Sequence, residues 1–251
     1  MTGLVMIVVG SAVWAAAPAA GAGPKGGTSS CVACHRSAGG ASELRHTYGD
    51  WAKSIHAVKG VGCEHCHGGN AAKADKAGAH AGMLDSSDPK SPVYYTRVPE
   101  TCGRCHAGEL AAFKESRHFL EFSTTGKGPN CITCHGAMAN HILDPQTMAM
   151  TCTLCHRRPT QAFGALLSLN HAAGSTRRLK RAVAAARAKG VEASAQEREL
   201  ASVTRLVEAS LVHWHTFRMP EVLSSSQEAA RRAITALNEL KLKGMSEGEA
   251  K

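Results

Sequence analysis

Five copies of the pattern C-x-x-C-H constrain this chain more than any other feature of its sequence. Two cysteines three residues apart on a helical turn can reach both vinyl groups of one porphyrin, and the adjoining histidine then faces the iron. The cysteines are Cys31, Cys34, Cys63, Cys66, Cys102, Cys105, Cys131, Cys134, Cys152 and Cys155. The histidines that complete the motifs are His35, His67, His106, His135 and His156. The pattern predicts five covalently bound c-type haems with these histidines as proximal iron ligands.

Two other cysteine chemistries, a zinc site and a redox disulfide, explain the pattern less well. Zinc would take four ligands from two C-x-x-C pairs and would not need a histidine after every pair. A disulfide redox motif would not be repeated five times in one chain. Aromatic residues make up only 4% of the sequence, a content that suits a core filled by flat apolar cofactors.

The N-terminus has the features of an export signal. An apolar run at residues 4–14 is followed by Ala20-Gly21-Ala22, a small-x-small site that predicts cleavage after Ala22. No lysine or arginine precedes the run, so an uncleaved anchor is the alternative, although the run stops by Pro18 and is short for a membrane span. Because haem c is attached outside the cytoplasm, we expect a periplasmic protein.

We expect a mainly α-helical fold with many loops, in which the haems stack and a helical region follows. The C-terminal zone has no cysteine and shows apolar residues at three- and four-residue steps. The expected zones are the signal (1–22), the haem domain (23–171) and the C-terminal helical region (172–251). The expected helices are Thr176–Lys189, one carrying the stripe from Leu200 to Trp214, and one beginning in the Ser224–Ser226 cluster.

The haem domain contains an internal repeat. Residues 51–56 (W-x-x-S-x-H) precede the second motif in the same way that residues 113–118 (F-x-x-S-x-H) precede the fourth. Each unit then has one more histidine, His80 or His141, and closes with a Thr-Cys-x-x-Cys-His motif. The domain thus consists of a leading motif and two copies of a two-haem unit, which we expect to build two similar haem pairs.

Histidines outside the motifs are candidates for the second, distal position on each iron. The strongest candidates are His56 and His118, which the repeat places equivalently. The next are His80 and His141, one of which follows in each unit. The expected distal ligands are His56, His118, His80, His141 and His171, with His46 as the alternative to the last. His213 and His215 flank the apolar stripe of a predicted helix, where packing or exposure explains them at least as well as ligation does.

A family resemblance rests on two stretches: residues 51–69, WAKSIHAVKGVGCEHCHGG, and residues 116–156, which contain SRH, PNCITCHG and TCTLCH. They resemble the cytochrome c554-like multihaem family, with a more distant relation to the hydroxylamine oxidoreductase and pentahaem nitrite reductase group. The resemblance implies electron shuttling by closely stacked, mostly bis-histidine haems. The nitrite reductases have a lysine in place of the motif histidine at their active haem, whereas all five motifs here end in histidine.

The sequence predicts an electron carrier rather than an enzyme. Electrons would pass between redox protein partners, either donor and acceptor cytochromes or a membrane quinol-oxidising complex, and membrane association is left open. The formal charge of +9 is partly offset by haem propionates, and no aromatic-interleaved basic patch indicates nucleic acid. The cations between Arg177 and Lys189 are expected to be solvated, with docking of an acidic partner or of propionates as the alternative. The competing function is a haem-dependent reductase of a small nitrogen or sulfur oxyanion with one open iron position.

Overall fold

The computed structural model describes residues 29–37, 48–138 and 145–249, and this part of the chain is mainly α-helical without β-strands. The predicted fold class is therefore confirmed. The predicted signal peptide, His46 and His141 lie outside the described residues. No helix in the described ranges is long and apolar enough to cross a membrane.

Short helices separated by turns make up the haem domain. They are α1 (Ser30–Ser37), α2 (Tyr48–Ala52), α3 (Ile55–Val58), α4 (Glu64–His67), α5 (Lys76–Ala79), α6 (Val98–Gly103), α7 (Ala107–Lys114), α8 (Arg117–Thr125), α9 (Cys131–His135) and α10 (Pro145–Thr153). Buried side chains such as Trp51 and Phe122 form only small apolar contacts, while Ile55, Val58 and Leu120 are exposed. Protein packing alone therefore gives this domain little core.

Three long helices form the C-terminal bundle. They are α11 (Thr160–Ala188), α12 (Ser194–His213) and α13 (Met219–Glu249). The start of α11 packs against the end of α12 and the start of α13 through Leu169, Trp214 and Val222. Its later half packs against the opposite ends of those helices, where Leu179 and Leu240 share one cluster. Hence α12 runs antiparallel to both neighbours, and the three apolar stripes face one another along the bundle.

The first bundle helix is longer than the sequence periodicity predicts. It begins at Thr160 instead of Thr176 and so crosses the expected zone boundary at residue 171. Leu166 and Leu169 are buried and continue the apolar stripe toward the N-terminus. The fifth motif therefore leads almost directly into the bundle.

The last bundle helix also begins earlier than predicted, at Met219 and not in the Ser224–Ser226 cluster. Pro220 lies in its first turn, where the missing N–H leaves no helical hydrogen bond unmade. Ser226 lies inside the helix, and its hydroxyl donates to the carbonyl of Leu223 at 3.0 Å. The sequence pattern thus predicts a break between helices at Pro220, whereas this proline lies in the first turn of a helix.

The turn between α12 and α13, residues 213–218, joins the bundle to the haem domain, and we call it the bundle turn. Phe217 has a left-handed φ of 58°, which is uncommon for a residue other than glycine. Its ring packs against His118 with the ring centroids 4.3 Å apart. Arg218 pairs with Glu115 at 3.3 Å. These contacts place the bundle turn directly beside the candidate iron ligands.

Candidate haem centres

The five motifs are held on helical turns. In motifs two, three and five, the backbone amide of the motif histidine donates to the carbonyl of the first cysteine at 2.9 Å. Motifs one and four lie within α1 and α9. All ten cysteines belong to the described residues, and none of them forms a disulfide. Two thiols and one imidazole are therefore available on each turn, as covalent haem attachment requires.

Two serines fix the histidines of the repeat. Ser54 and Ser116 are buried, and their hydroxyl oxygens accept hydrogen bonds from amides three residues later, at 3.1 and 3.0 Å. Each serine thereby caps a helix, α3 or α8. His56 and His118 occupy the second position of these helices, and the aromatic residue five positions before each of them is buried. The sequence repeat is thus also a repeat of local structure.

Four motif histidines face a second imidazole at nearly the same distance. The ring centroids are 6.2 Å apart for His35 and His80, 6.1 Å for His106 and His56, 5.9 Å for His156 and His118, and 6.1 Å for His135 and His215. Two imidazoles bound to one metal ion through ring nitrogens at about 2 Å each would have centroids roughly 6 Å apart. The spacing of all four pairs therefore fits an iron with two axial histidines.

Backbone hydrogen bonds fix which ring nitrogen is free in two of these histidines. His80 Nδ1 lies 2.8 Å from the Lys76 carbonyl, and His215 Nδ1 lies 3.1 Å from the Leu211 carbonyl. A carbonyl can only accept, so Nδ1 carries the hydrogen in both rings and Nε2 keeps its lone pair for a metal. His213 differs, because its Nε2 lies 2.7 Å from the Glu221 carboxylate.

Burial favours the neutral form of two histidines that face a motif histidine. Burial lowers the pKa of His215, and the nearby His135 lowers that pKa further. Burial likewise lowers the pKa of His118, with His156 adding to the effect. The neutral imidazole is the form that donates a lone pair to iron.

The first three motifs follow one another in space as they do in sequence. Burial raises the pKa of the Cys63 thiol to about 11, and the neighbouring Cys31 of motif one adds to that shift. Burial also raises the pKa of Cys66, and Cys102 of motif three contributes next. Arg104 Nη2, within motif three, donates to the His65 carbonyl of motif two at 2.7 Å.

The row continues through motifs four and five. The thiols of Cys102 and Cys131 are hydrogen-bonded, and this bond raises the pKa of Cys102 and lowers that of Cys131. Burial raises the pKa of Cys134 to about 11, with Cys152 and Cys155 of motif five adding to the shift. Neighbouring motifs therefore lie close enough to affect one another's thiols from motif one to motif five. The second cysteine of motif four is influenced by motif five in the same way that the second cysteine of motif two is influenced by motif three.

Large apolar side chains are exposed beside the candidate ligands. Ile55 and Val58 flank His56, and Leu120 follows His118 by two residues with 61% of its surface accessible. Leu154, between the two cysteines of motif five, is 77% exposed. Apolar side chains exposed next to the motifs and the facing imidazoles are available to contact an apolar ligand. Together with the thiols and the paired imidazoles, they fit an apolar macrocycle that carries iron.

The predicted site residues fall into three groups in the structure. His56, His80 and His118 each face a motif histidine. His171 is exposed on α11, and none of the ring pairs formed by the described residues includes it. His215, which sequence reasoning left unassigned, faces His135 instead. The only sequence signal for His215 was the surplus of histidines over motifs.

The comparisons with known proteins agree with this chemistry. A family profile described as cytochrome c554 and c-prime matches residues 17–68. The C-type polyheme cytochrome OmcC of Geobacter sulfurreducens (strain ATCC 51573 / DSM 12127 / PCA) is 28% identical over 149 residues, which are 58% of this chain and 17% of that protein. The C-type polyheme cytochrome OmcB of the same species (strain DL-1 / KN400) is 33% identical over 138 residues, 49% of this chain and 16% of that protein. No solved structure matches.

The motifs and these matches together define the class of the protein: a multihaem c-type cytochrome, similar over the aligned residues to the polyheme cytochromes. The profile match covers the segment that contains the first two motifs. The aligned part covers about one sixth of the length of the curated relatives. The shared chemistry of this class is covalent haem and electron transfer.

Proposed function

We propose that this chain is an exported electron carrier in which five c-type haems form one row. Haem iron, when bound, supplies a one-electron ferric/ferrous couple. The observation that carries the proposal is the pairing of four motif histidines with a second imidazole, at centroid distances of 5.9–6.2 Å. An iron held between two such imidazoles would have no position open for a substrate.

The proposed distal ligands follow from these pairs. His80 serves motif one, His56 serves motif three, and His118 serves motif five. His215 serves motif four and takes the place that the sequence suggested for His171. The two repeat units thereby pair their histidines in the same way. In one unit His56, which precedes motif two, faces His106 of motif three, and in the other His118, which precedes motif four, faces His156 of motif five.

For motif two we propose His141 as the distal ligand. Met138, three residues earlier, packs against the cluster of Val32, Trp51 and Ala57. The chain that leaves motif four therefore runs back to the start of the haem domain, beside motifs one and two. His141 is three residues beyond Met138 in the sequence, so an extended chain of at most about 11 Å separates the two residues.

Location and partners belong to the same proposal. The signal-like N-terminus supports export to the periplasm, where haem c attachment is chemically possible. The redox partners would be donor and acceptor cytochromes or a membrane quinol-oxidising complex. Contacts between successive motifs support a path from one end of the row to the other, so a donor and an acceptor can dock at different ends.

Two measurements on the mature protein test the proposal. Pyridine haemochrome quantitation is expected to give five haems per chain. Electron paramagnetic resonance of the oxidised protein is expected to show low-spin iron only. A stoichiometry of four or fewer contradicts the five-haem row, and a high-spin fraction in the intact protein favours the reductase that the sequence left as the alternative.

A further inference from the structure

Three of the histidines that face a motif histidine differ in what their Nδ1 atom contacts. Nδ1 of His80 and Nδ1 of His215 each lie within hydrogen-bond distance of a backbone carbonyl, at 2.8 and 3.1 Å. Nδ1 of His118 is buried and has no hydrogen-bond partner. Buried polar atoms without a partner are rare in proteins, so this one calls for a physical explanation.

Phe217 of the bundle turn explains why no partner reaches this nitrogen. Its ring meets the His118 imidazole at 78° with the centroids 4.3 Å apart. An aromatic ring accepts hydrogen bonds only weakly, and it also excludes water from the site. With Nε2 on the iron, as proposed, Nδ1 would carry the hydrogen, and the packing beside Phe217 would leave that N–H without an acceptor.

The bundle turn holds Phe217 in this place. The Phe217 amide donates to the Trp214 carbonyl at 2.9 Å, and the Arg218 amide donates to Thr216 Oγ1 at 3.2 Å. The left-handed φ of 58° at Phe217 is a backbone strain that the surrounding contacts must maintain. The Phe217 ring is held against His118 in spite of this backbone strain, which indicates that the contact has a role.

We propose that Phe217 is a positioning residue that keeps His118 Nδ1 dry and unpaired, and that it thereby raises the reduction potential of the motif-five haem. A carbonyl that accepts from Nδ1–H makes the imidazole a stronger electron donor and stabilises ferric iron. Without such an acceptor, His118 donates less and the added electron is held more tightly on ferrous iron. The inference rests on the proposed ligation of motif five by His118 and His156.

Matched variants at residue 217 test this in the full haem-loaded protein. Phe217→Asn supplies a side-chain acceptor and tolerates the left-handed backbone, whereas Phe217→Leu keeps the site apolar. Spectroelectrochemical titration is expected to show one haem transition shifted downward in the Asn variant. The expected change in the ferric/ferrous ratio is about tenfold, equal to about 59 mV for a one-electron couple. The Leu variant is expected to keep the wild-type potential, and an equal downward shift in both variants overturns the proposal.

A third variant separates this inference from the ligation on which it rests. His118→Gly is expected to turn the motif-five haem high-spin, and the transition that it alters identifies that haem in the titrations. If His118→Gly leaves every haem low-spin, the proposed ligation itself is wrong. If it gives a high-spin haem while Phe217→Asn leaves the identified potential unchanged, the ligation stands and the role of Phe217 is refuted.

Discussion

Two histidines of the bundle turn show how a single hydrogen bond decides which imidazole is free to bind iron. His215 directs Nδ1 to a helix carbonyl at 3.1 Å, so its Nε2 is free and faces His135. His213 has the opposite arrangement, with Nε2 at 2.7 Å from the Glu221 carboxylate. Although they are only two residues apart, one ring is available to a metal and the other is engaged with a carboxylate.

We therefore expect His215→Ala to convert one haem to the high-spin state while its thioether bonds stay intact. His213→Ala is the matched control and should leave all haems low-spin, with at most about 1 kcal/mol of stability lost with an exposed hydrogen bond. Electron paramagnetic resonance of the oxidised variants measures both outcomes. A wholly low-spin His215→Ala protein would remove this residue from the set of ligands.

The ligand of motif two is tested with a second pair of variants. His141→Gly is expected to give one high-spin haem, because Met138 brings the chain back beside the first two motifs. His46→Gly serves as the comparison and is expected to leave the spectrum low-spin. The reverse result, high-spin iron only in the His46 variant, would assign motif two to His46.

The helical turns that carry the motifs could be predicted from the sequence, but the pairs of facing imidazoles could not. A C-x-x-C-H motif is a local pattern, and its geometry depends on a single turn of helix. The pairing of His135 with His215 depends instead on how α12 and the bundle turn pack against α7. His171 and His215 are both histidines on or beside long helices, and only the packing of those helices distinguishes them.

At the level of helices, caps and apolar stripes determine where the elements lie. Ser54 and Ser116 begin α3 and α8 at equivalent places, so the sequence repeat predicts local structure correctly in both units. The apolar periodicity predicts the three bundle helices but not their first residues. Proline is compatible with the first turn of a helix, and local pattern does not distinguish this position from a break.

One ion pair between α12 and α13 gives the bundle a predictable response to acid. Arg232 donates to both carboxylate oxygens of Glu199, at 2.6 and 3.0 Å. The hydrogen bonds from Arg232 lower the pKa of Glu199 below its ordinary value of 4.5. A carboxylate with a lowered pKa stabilises the folded state above that ordinary value, and the contribution is lost as the pH falls through the folded-state pKa.

Glu199→Gln is therefore expected to lower the stability of the protein by about 1 kcal/mol at neutral pH and by less in acid. Thermal unfolding followed by far-ultraviolet circular dichroism at pH 7 and pH 3 measures the difference. Glu197→Gln removes an exposed acid two residues away on the same helix and provides the control. Equal destabilisation by Glu199→Gln at both pH values would show that the ion pair does not account for its effect.

For the molecule as a whole, the order of the motifs in space is the main result. Each motif lies near the next, and the interaction of Cys102 with Cys131 links the two repeat units. In the proposed carrier, the two-haem units would therefore be parts of one row, with the haem of motif three in the middle. Loss of the third haem would separate the haems on its two sides, whereas loss of the first or the fifth haem would leave the other four connected.

Removing one haem in the middle is therefore expected to differ from removing one at the end. Cys102→Ala with Cys105→Ala deletes the third haem, and Cys31→Ala with Cys34→Ala deletes the first. Both proteins retain four haems, so absorbance alone will not separate them. Time-resolved absorbance after photochemical reduction is expected to show rapid equilibration in the first-haem deletion and slow, biphasic equilibration in the third-haem deletion. Identical kinetics would contradict a single row.

The bundle turn also makes the fourth centre a marker of chain completion. Its motif lies in the middle of the sequence, but the imidazole proposed to close it, His215, comes from the bundle turn, which follows α12. If the chain is exported from its N-terminus as proposed, the fourth iron would keep an open position until the bundle has folded onto α7. A truncated or misfolded C-terminus would leave that iron able to bind and reduce small molecules. Six-coordination at the fourth centre would therefore distinguish a finished carrier from an immature one.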